Sequence, residues 1–110
     1  MAFERSTEQL LEQWGLWVTQ GSSVSACQSP GMRPLAAITD EEALTIDGLV
    51  GRLGKRYPEA GEVLLRYYTS GCSLMDVGHR MRVGETKARQ MLNAGIAWVD
   101  GALEPKRLAA

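Results

Sequence analysis

Hydrophobic residues in this chain recur three and four positions apart, the period of one helix face, and nowhere sustain the alternation of a half-buried strand. Leu10, Leu11, Trp14, Trp17 and Val18 form the first stripe, and Ser6 and Gln9 ahead of it have capping-box spacing, so a helix is predicted from about Thr7 to Val18. Residues 19–38 lose the period and turn to Gly, Ser, Pro and Gln, with Arg33 as the one charge. Such a length without structure is expected to be a flexible loop, able to dock on a macromolecular surface. Thr39 and Glu42 repeat the capping spacing and open a helix through Leu44, Ile46, Leu49, Val50 and Leu53 to about Arg56. Gly48, Gly51 and Gly54 interrupt it every third residue, each at about 1 kcal/mol relative to Ala. Either another helix packs closely on that glycine-bearing face, or the helix is weak. Pro58 suits the first position of a helix through Ala60, Val63, Leu64, Tyr67 and Tyr68, and Gly71 suits its left-handed C-terminal cap.

The last stretch, Ser73 to Leu103, reads as two helices joined by a tight turn. Leu74, Val77 and Met81 line the first, which Ser73 can cap; Ala88, Met91, Leu92, Gly95, Ile96 and Val99 line the second. Arg82-Val83-Gly84 supplies a short turn with one apolar plug, and Gly84 can serve as the next N-cap. Gly101 and Pro105 are expected to end the last helix and leave Lys106-Arg107 as a short basic tail. The expected fold is all-α, one small domain over residues 1–110 with about five helices. It comprises an N-terminal helix (6–18), the long loop (19–38), two supporting helices (39–69) and a C-terminal helix-turn-helix (73–103).

With Ala88, Met91 and Leu92 inward, Glu85, Thr86, Lys87, Arg89 and Gln90 occupy the outward first turns of the second helix. In a helix-turn-helix those positions meet base edges in the major groove. Arg89 and Gln90 can bond bidentately to guanine and adenine, Thr86 and Lys87 suit phosphate or base, and Glu85 can accept from cytosine or stabilise its own helix N-terminus. Arg80 and Arg82 flank the turn, where a cation meets backbone phosphate. A helical hairpin with solvated charges on its outer face is the competing reading. Trp14 and Trp17 share a face, either packed in the core or forming a partner-binding ridge; Arg33, Lys106 and Arg107 are further partner-facing candidates.

Charge sharpens the DNA reading only locally. The chain carries a net −1, residues 1–60 holding −3 and 61–110 holding +2, while Arg80 to Gln90 alone holds +3. Any basic surface is therefore local, and affinity is expected to need a second partner. No apolar run has membrane-spanning length and no basic-then-apolar leader opens the chain, so a cytoplasmic location is expected. In that compartment Cys27 and Cys72 are expected as free thiols. The single histidine, His79, and the lack of a Cys-x-x-Cys pair give no zinc spacing, and no cofactor or metal is expected. Paired carboxylates, a nucleophile–histidine arrangement and a phosphate loop are all missing from the sequence, which argues against an enzyme.

Two helices ahead of a helix-turn-helix resemble the promoter-reading C-terminal region of bacterial sigma factors. Thr86-Lys87-Ala88-Arg89-Gln90 is similar to the recognition helix there, departing at Glu85 and Thr86. A closer resemblance covers most of the chain. Leu11-Glu12-Gln13-Trp14-Gly15-Leu16-Trp17-Val18, Ile38-Thr39-Asp40-Glu41-Glu42-Ala43-Leu44-Thr45-Ile46-Asp47, and Thr86-Lys87-Ala88-Arg89 through Ala97-Trp98-Val99-Asp100-Gly101 resemble the phage antitermination protein Q family, of the phage 21 rather than the lambda type. Gly84 stands where a serine cap is common there, and Arg82-Val83 replaces a glycine and an aliphatic residue. The resemblance implies a late-gene regulator that binds double-stranded DNA near a phage late promoter and loads onto bacterial RNA polymerase paused nearby with its sigma factor. It then makes the enzyme read through pauses and terminators, narrowing the exit channel through which nascent RNA threads. Two alternatives stay open: a helix-turn-helix regulator of initiation, which predicts a dimer on two half-sites, and a polymerase-binding protein that ignores DNA.

Overall fold

The structure, a computed structural model, describes residues 5–20 and 37–109. Five helices follow in order: α1 (Thr7–Gln20), α2 (Asp40–Arg56), α3 (Pro58–Ser70), α4 (Leu74–Met81) and α5 (Glu85–Ala109). No described residue is in a strand, so the all-α expectation holds. None of these helices is long and apolar enough to cross a membrane.

The predicted caps form. Ser6 Oγ accepts from the Gln9 amide at 3.2 Å while Gln9 Oε1 accepts from the Ser6 amide at 3.1 Å. At α2, Thr39 Oγ1 and Glu42 Oε1 exchange the same pair of bonds, each at 3.1 Å. These reciprocal bonds satisfy amides that the opening turn leaves without helical partners. Pro58 occupies the first turn of α3, and Gly71, at φ 75°, ends it in the left-handed region. Ser73 Oγ accepts from the Asp76 amide at 3.2 Å to start α4.

α3 and α5 each pack against all four other helices, with α3 making the more extensive contacts to α1 and α2, whereas α4 touches only α3 and α5. The core gathers Leu10, Leu11 and Trp14 from α1, Ile46, Leu49 and Leu53 from α2, and Val63 and Leu64 from α3, with Val77 from α4 and Ala88, Val99 and Leu103 from α5. Two indole bonds pin α1 to α2: Trp14 Nε1 donates to Asp47 Oδ1 at 3.2 Å and Trp17 Nε1 to Asp40 Oδ1 at 3.0 Å. A Cβ on Gly48, Gly51 or Gly54 would meet nothing, so close packing requires none of the three; the glycine that lets α2 and α3 approach is Gly61 of α3, where an added Cβ would come within 2.6 Å of Gly54 Cα.

Several expectations need correcting. α1 runs on through Thr19 and Gln20, Thr19 Oγ1 bonding back to the Gly15 carbonyl at 2.9 Å. α5 passes Gly101 and Pro105 and continues to Ala109. The reason is tertiary: Leu103 is wholly buried, and Arg107, expected in a short basic tail, donates to Asp100 Oδ1 at 3.1 Å and to the Arg5 carbonyl at 3.0 Å. Those anchors outweigh the lost amide and the ring clash of a proline in a helix interior. Trp14, 1 % exposed, is core and not available as a partner-binding anchor; Trp17 is partly buried against the same cluster. Cys72 is disulfide-bonded and buried rather than a free thiol. Cys27 and Arg33, with residues 21–36, lie outside the described residues.

Candidate nucleic-acid interface

Residues between α4 and α5 are held by a backbone arrangement the sequence does not announce. Arg82 takes the left-handed conformation, φ 61°, at the end of α4, and its amide donates to the Gly78 and His79 carbonyls. The Val83 amide follows with a bond to the Gly78 carbonyl at 2.9 Å, and Val83 is half-buried against the core. This satisfies last-turn carbonyls of α4 and reverses the chain within three residues. The Gly84 carbonyl accepts from the Ala88 amide at 3.0 Å, which makes Gly84 the N-cap position of α5.

From there the helical period sorts the side chains. Ala88, Met91 and Leu92 turn into the core, and Glu85, Thr86, Lys87, Arg89 and Gln90 are all exposed. Arg80 and Arg82 are exposed beside the turn. The seven residues singled out from the sequence therefore lie on one continuous stretch of surface, the end of α4, the turn and the first turns of α5. Among the described residues, no segment covers Lys87 or Arg89.

The two edges of α5 differ in character. On one, Arg89 Nη2 pairs with Glu85 Oε2 at 2.8 Å, and both line a groove of about 950 Å³ against Glu8 and Glu12 of α1 and Tyr67 and Tyr68 of α3. Burial raises the Tyr68 phenol well above its ordinary value, and Glu8, Tyr67 and Glu12 add to the rise, so it stays a neutral donor in that acidic wall. On the other edge, Lys87 and Gln90 line a cleft of about 400 Å³ with Arg56, Tyr57, Pro58 and Glu59. Thr86 lies on the outward crest between them. The Glu85–Arg89 pair was legible as an i,i+4 spacing; the acidic neighbourhood from α1 was not, because it depends on where α1 docks. An exposed helical pair of this kind is worth only about 0.3–0.5 kcal/mol, so Arg89 can leave Glu85 for a stronger acceptor.

The remaining candidates separate from this surface. Lys106 is exposed at the far end of α5, and Arg107 is bound internally to Asp100, Thr7 and Arg5. Asp100 Oδ1 also accepts from Thr7 Oγ1, and these bonds from Thr7 and Arg107 hold its carboxyl below the usual carboxylate range. No group of three or more His, Cys, Asp or Glu among the described residues is placed to hold a metal ion.

Comparison with known proteins points one way. The family model described as Phage antitermination protein Q matches residues 4–108. A protein described as probable antitermination protein Q, from Acyrthosiphon pisum secondary endosymbiont phage 1, is 31% identical over 110 residues, covering 90% of this chain and 74% of its own length. No solved structure matches the chain.

Proposed function

The chain belongs to the phage antitermination protein Q family, and from that premise we propose that it is a late-gene antitermination factor of the phage 21 type, working in the cytoplasm of a bacterial host. Its DNA-reading unit is a helix-turn-helix made by α4, the Arg82–Gly84 turn and α5. Thr86, Lys87, Arg89 and Gln90 enter the major groove near a late promoter, Glu85 sits at the helix N-terminus beside them, and Arg80 and Arg82 hold flanking phosphate. The supporting observation is the sorting of α5's first turns: a polar, cationic crest lies over Ala88, Met91 and Leu92, and no segment among the described residues covers it.

A chain of net charge −1 with a local basic patch binds DNA weakly by itself. Loading onto RNA polymerase paused nearby with its sigma factor adds a second contact and raises effective concentration at the site. The loaded polymerase then passes pauses and terminators, the bound protein narrowing the exit channel so that a terminator hairpin cannot form around nascent RNA. No catalysis by the protein itself is required.

Purified protein, RNA polymerase with sigma factor and a template carrying the phage's late promoter upstream of a terminator test this directly. Read-through should rise only when the late promoter is present, and Arg89→Ala should reduce it by about five-fold to a hundred-fold, the equivalent of about 1–3 kcal/mol of base readout. Read-through by Arg89→Ala and Lys87→Ala equal to wild type would favour a polymerase-binding protein without DNA recognition. Altered initiation with unchanged termination would favour an initiation regulator.

A further inference from the structure

α2 ends on three exposed cations, Arg52, Lys55 and Arg56, that the reading above leaves unused. None of them forms a salt bridge among the described residues, whereas Arg66, Arg89 and Arg107 are paired with Glu62, Glu85 and Asp100. The helix dipole accounts for Lys55 and Arg56, which sit in the last turn of α2. It does not account for Arg52, a full turn earlier. Arg52 and Arg56 are four residues apart and share one edge of the helix. Arg56 lines the same cleft as Lys87 and Gln90 of α5, so the α2 edge continues the basic side of the α5 crest. Glu59 is the one acid among the residues lining that cleft, and it forms no salt bridge there.

α2 and α5 pack directly on each other. Packed helices run about 8–10 Å apart, while the major groove of B-DNA is about 12 Å wide. With α5 in the groove, a cationic edge on the neighbouring helix meets the sugar–phosphate strand that walls it. We infer that Arg52, Lys55 and Arg56 form a phosphate track for duplex DNA, a second backbone contact on the opposite side of α5 from its acidic groove. The assignment rests on the reading of α5 as the groove-entering helix. It makes the surface electrostatically uneven: α2 lends cations to one edge of α5, while Glu8 and Glu12 lie across the groove that Arg89 lines at the other.

Fluorescence anisotropy on a random-sequence duplex of about 30 base pairs, between about 50 and 200 mM salt, isolates the phosphate contribution. Arg52→Gln/Arg56→Gln should bind on the order of ten-fold more weakly at the low-salt end and lose about two from the slope of log K against log salt, one for each contact removed. Arg80→Gln/Arg82→Gln in the same assay reports the contacts beside α5, and circular dichroism confirms that both variants are folded. A slope unchanged by Arg52→Gln/Arg56→Gln overturns the track. If Arg80→Gln/Arg82→Gln still lowers the slope, the reading of α5 survives that result. A wild-type protein that binds no duplex overturns both. A larger loss on a single strand of the same length than on the duplex would also overturn the track, assigning these cations to unpaired nucleic acid beside the exposed ring of Tyr57.

Discussion

At the scale of single residues, two glycines of similar appearance carry opposite predictions. A Cβ on Gly15 would lie 2.0 Å from the Tyr68 carbonyl oxygen, a backbone atom that cannot move without shifting α3. Gly15→Ala should therefore destabilise the protein by about 3 kcal/mol, as overpacking does. A Cβ on Gly48 meets nothing in an exposed helix interior, so Gly48→Ala should stabilise by about 0.5–1 kcal/mol through lost freedom in the unfolded chain. Paired urea melts check both signs, and stabilisation by both changes would mean that α1 does not approach α3 as described. No property of Gly15 in the sequence distinguishes it from Gly48, because what decides is the distance to a residue 53 positions away. Arg82 belongs to the same class. Its left-handed φ costs a non-glycine residue about 1–2 kcal/mol, held here by the carbonyl bonds of the turn.

Elements were legible wherever the signal was local. Ser6/Gln9, Thr39/Glu42, Pro58, Gly71 and Ser73 each act within a few residues of themselves, and each marks a helix boundary where the pattern placed it. The C-terminal end of α5 was misread because local breakers lose there to distant partners. Asp100 is the hub: Thr7 from α1 and Arg107 from the next turns bond to it, and its pKa is lowered. A lowered folded-state pKa contributes stability above the unfolded value, about 3.9, and that contribution disappears as pH falls through the folded value. Asp100→Asn should thus be less stable than wild type at neutral pH, with the gap closing as acid protonates the wild-type carboxyl. Urea midpoints measured from pH 7 downward give the comparison; a gap that stays constant would show that the bonds from Thr7 and Arg107 do not depend on the charge.

For the whole molecule, the candidate interface exists because the core beneath it fixes which way α5 faces. Leu92, buried one turn beyond Arg89 and two beyond Glu85, should cost about 2–5 kcal/mol when cut to Ala, read as a lower melting temperature. Unchanged melting would rotate the inward face and carry Thr86, Lys87, Arg89 and Gln90 with it. The amphipathic period alone determined that the chain is helical, that its last two helices join by a three-residue turn, and which side chains of α5 face solvent. Burial of apolar surface is proportional to area and indifferent to partner, so a periodic stripe reports that it is buried without naming what covers it. Tertiary structure alone decided what stands on either side of that exposed crest. Docking α1 brings Glu8 and Glu12 to one edge, and docking α2 brings Arg56 to the other. It also withdrew Trp14 from the surface and tied Arg107 into the fold. Charge and polarity belong to residues and are written in the chain; the field at a surface belongs to their arrangement, and only packing supplies that.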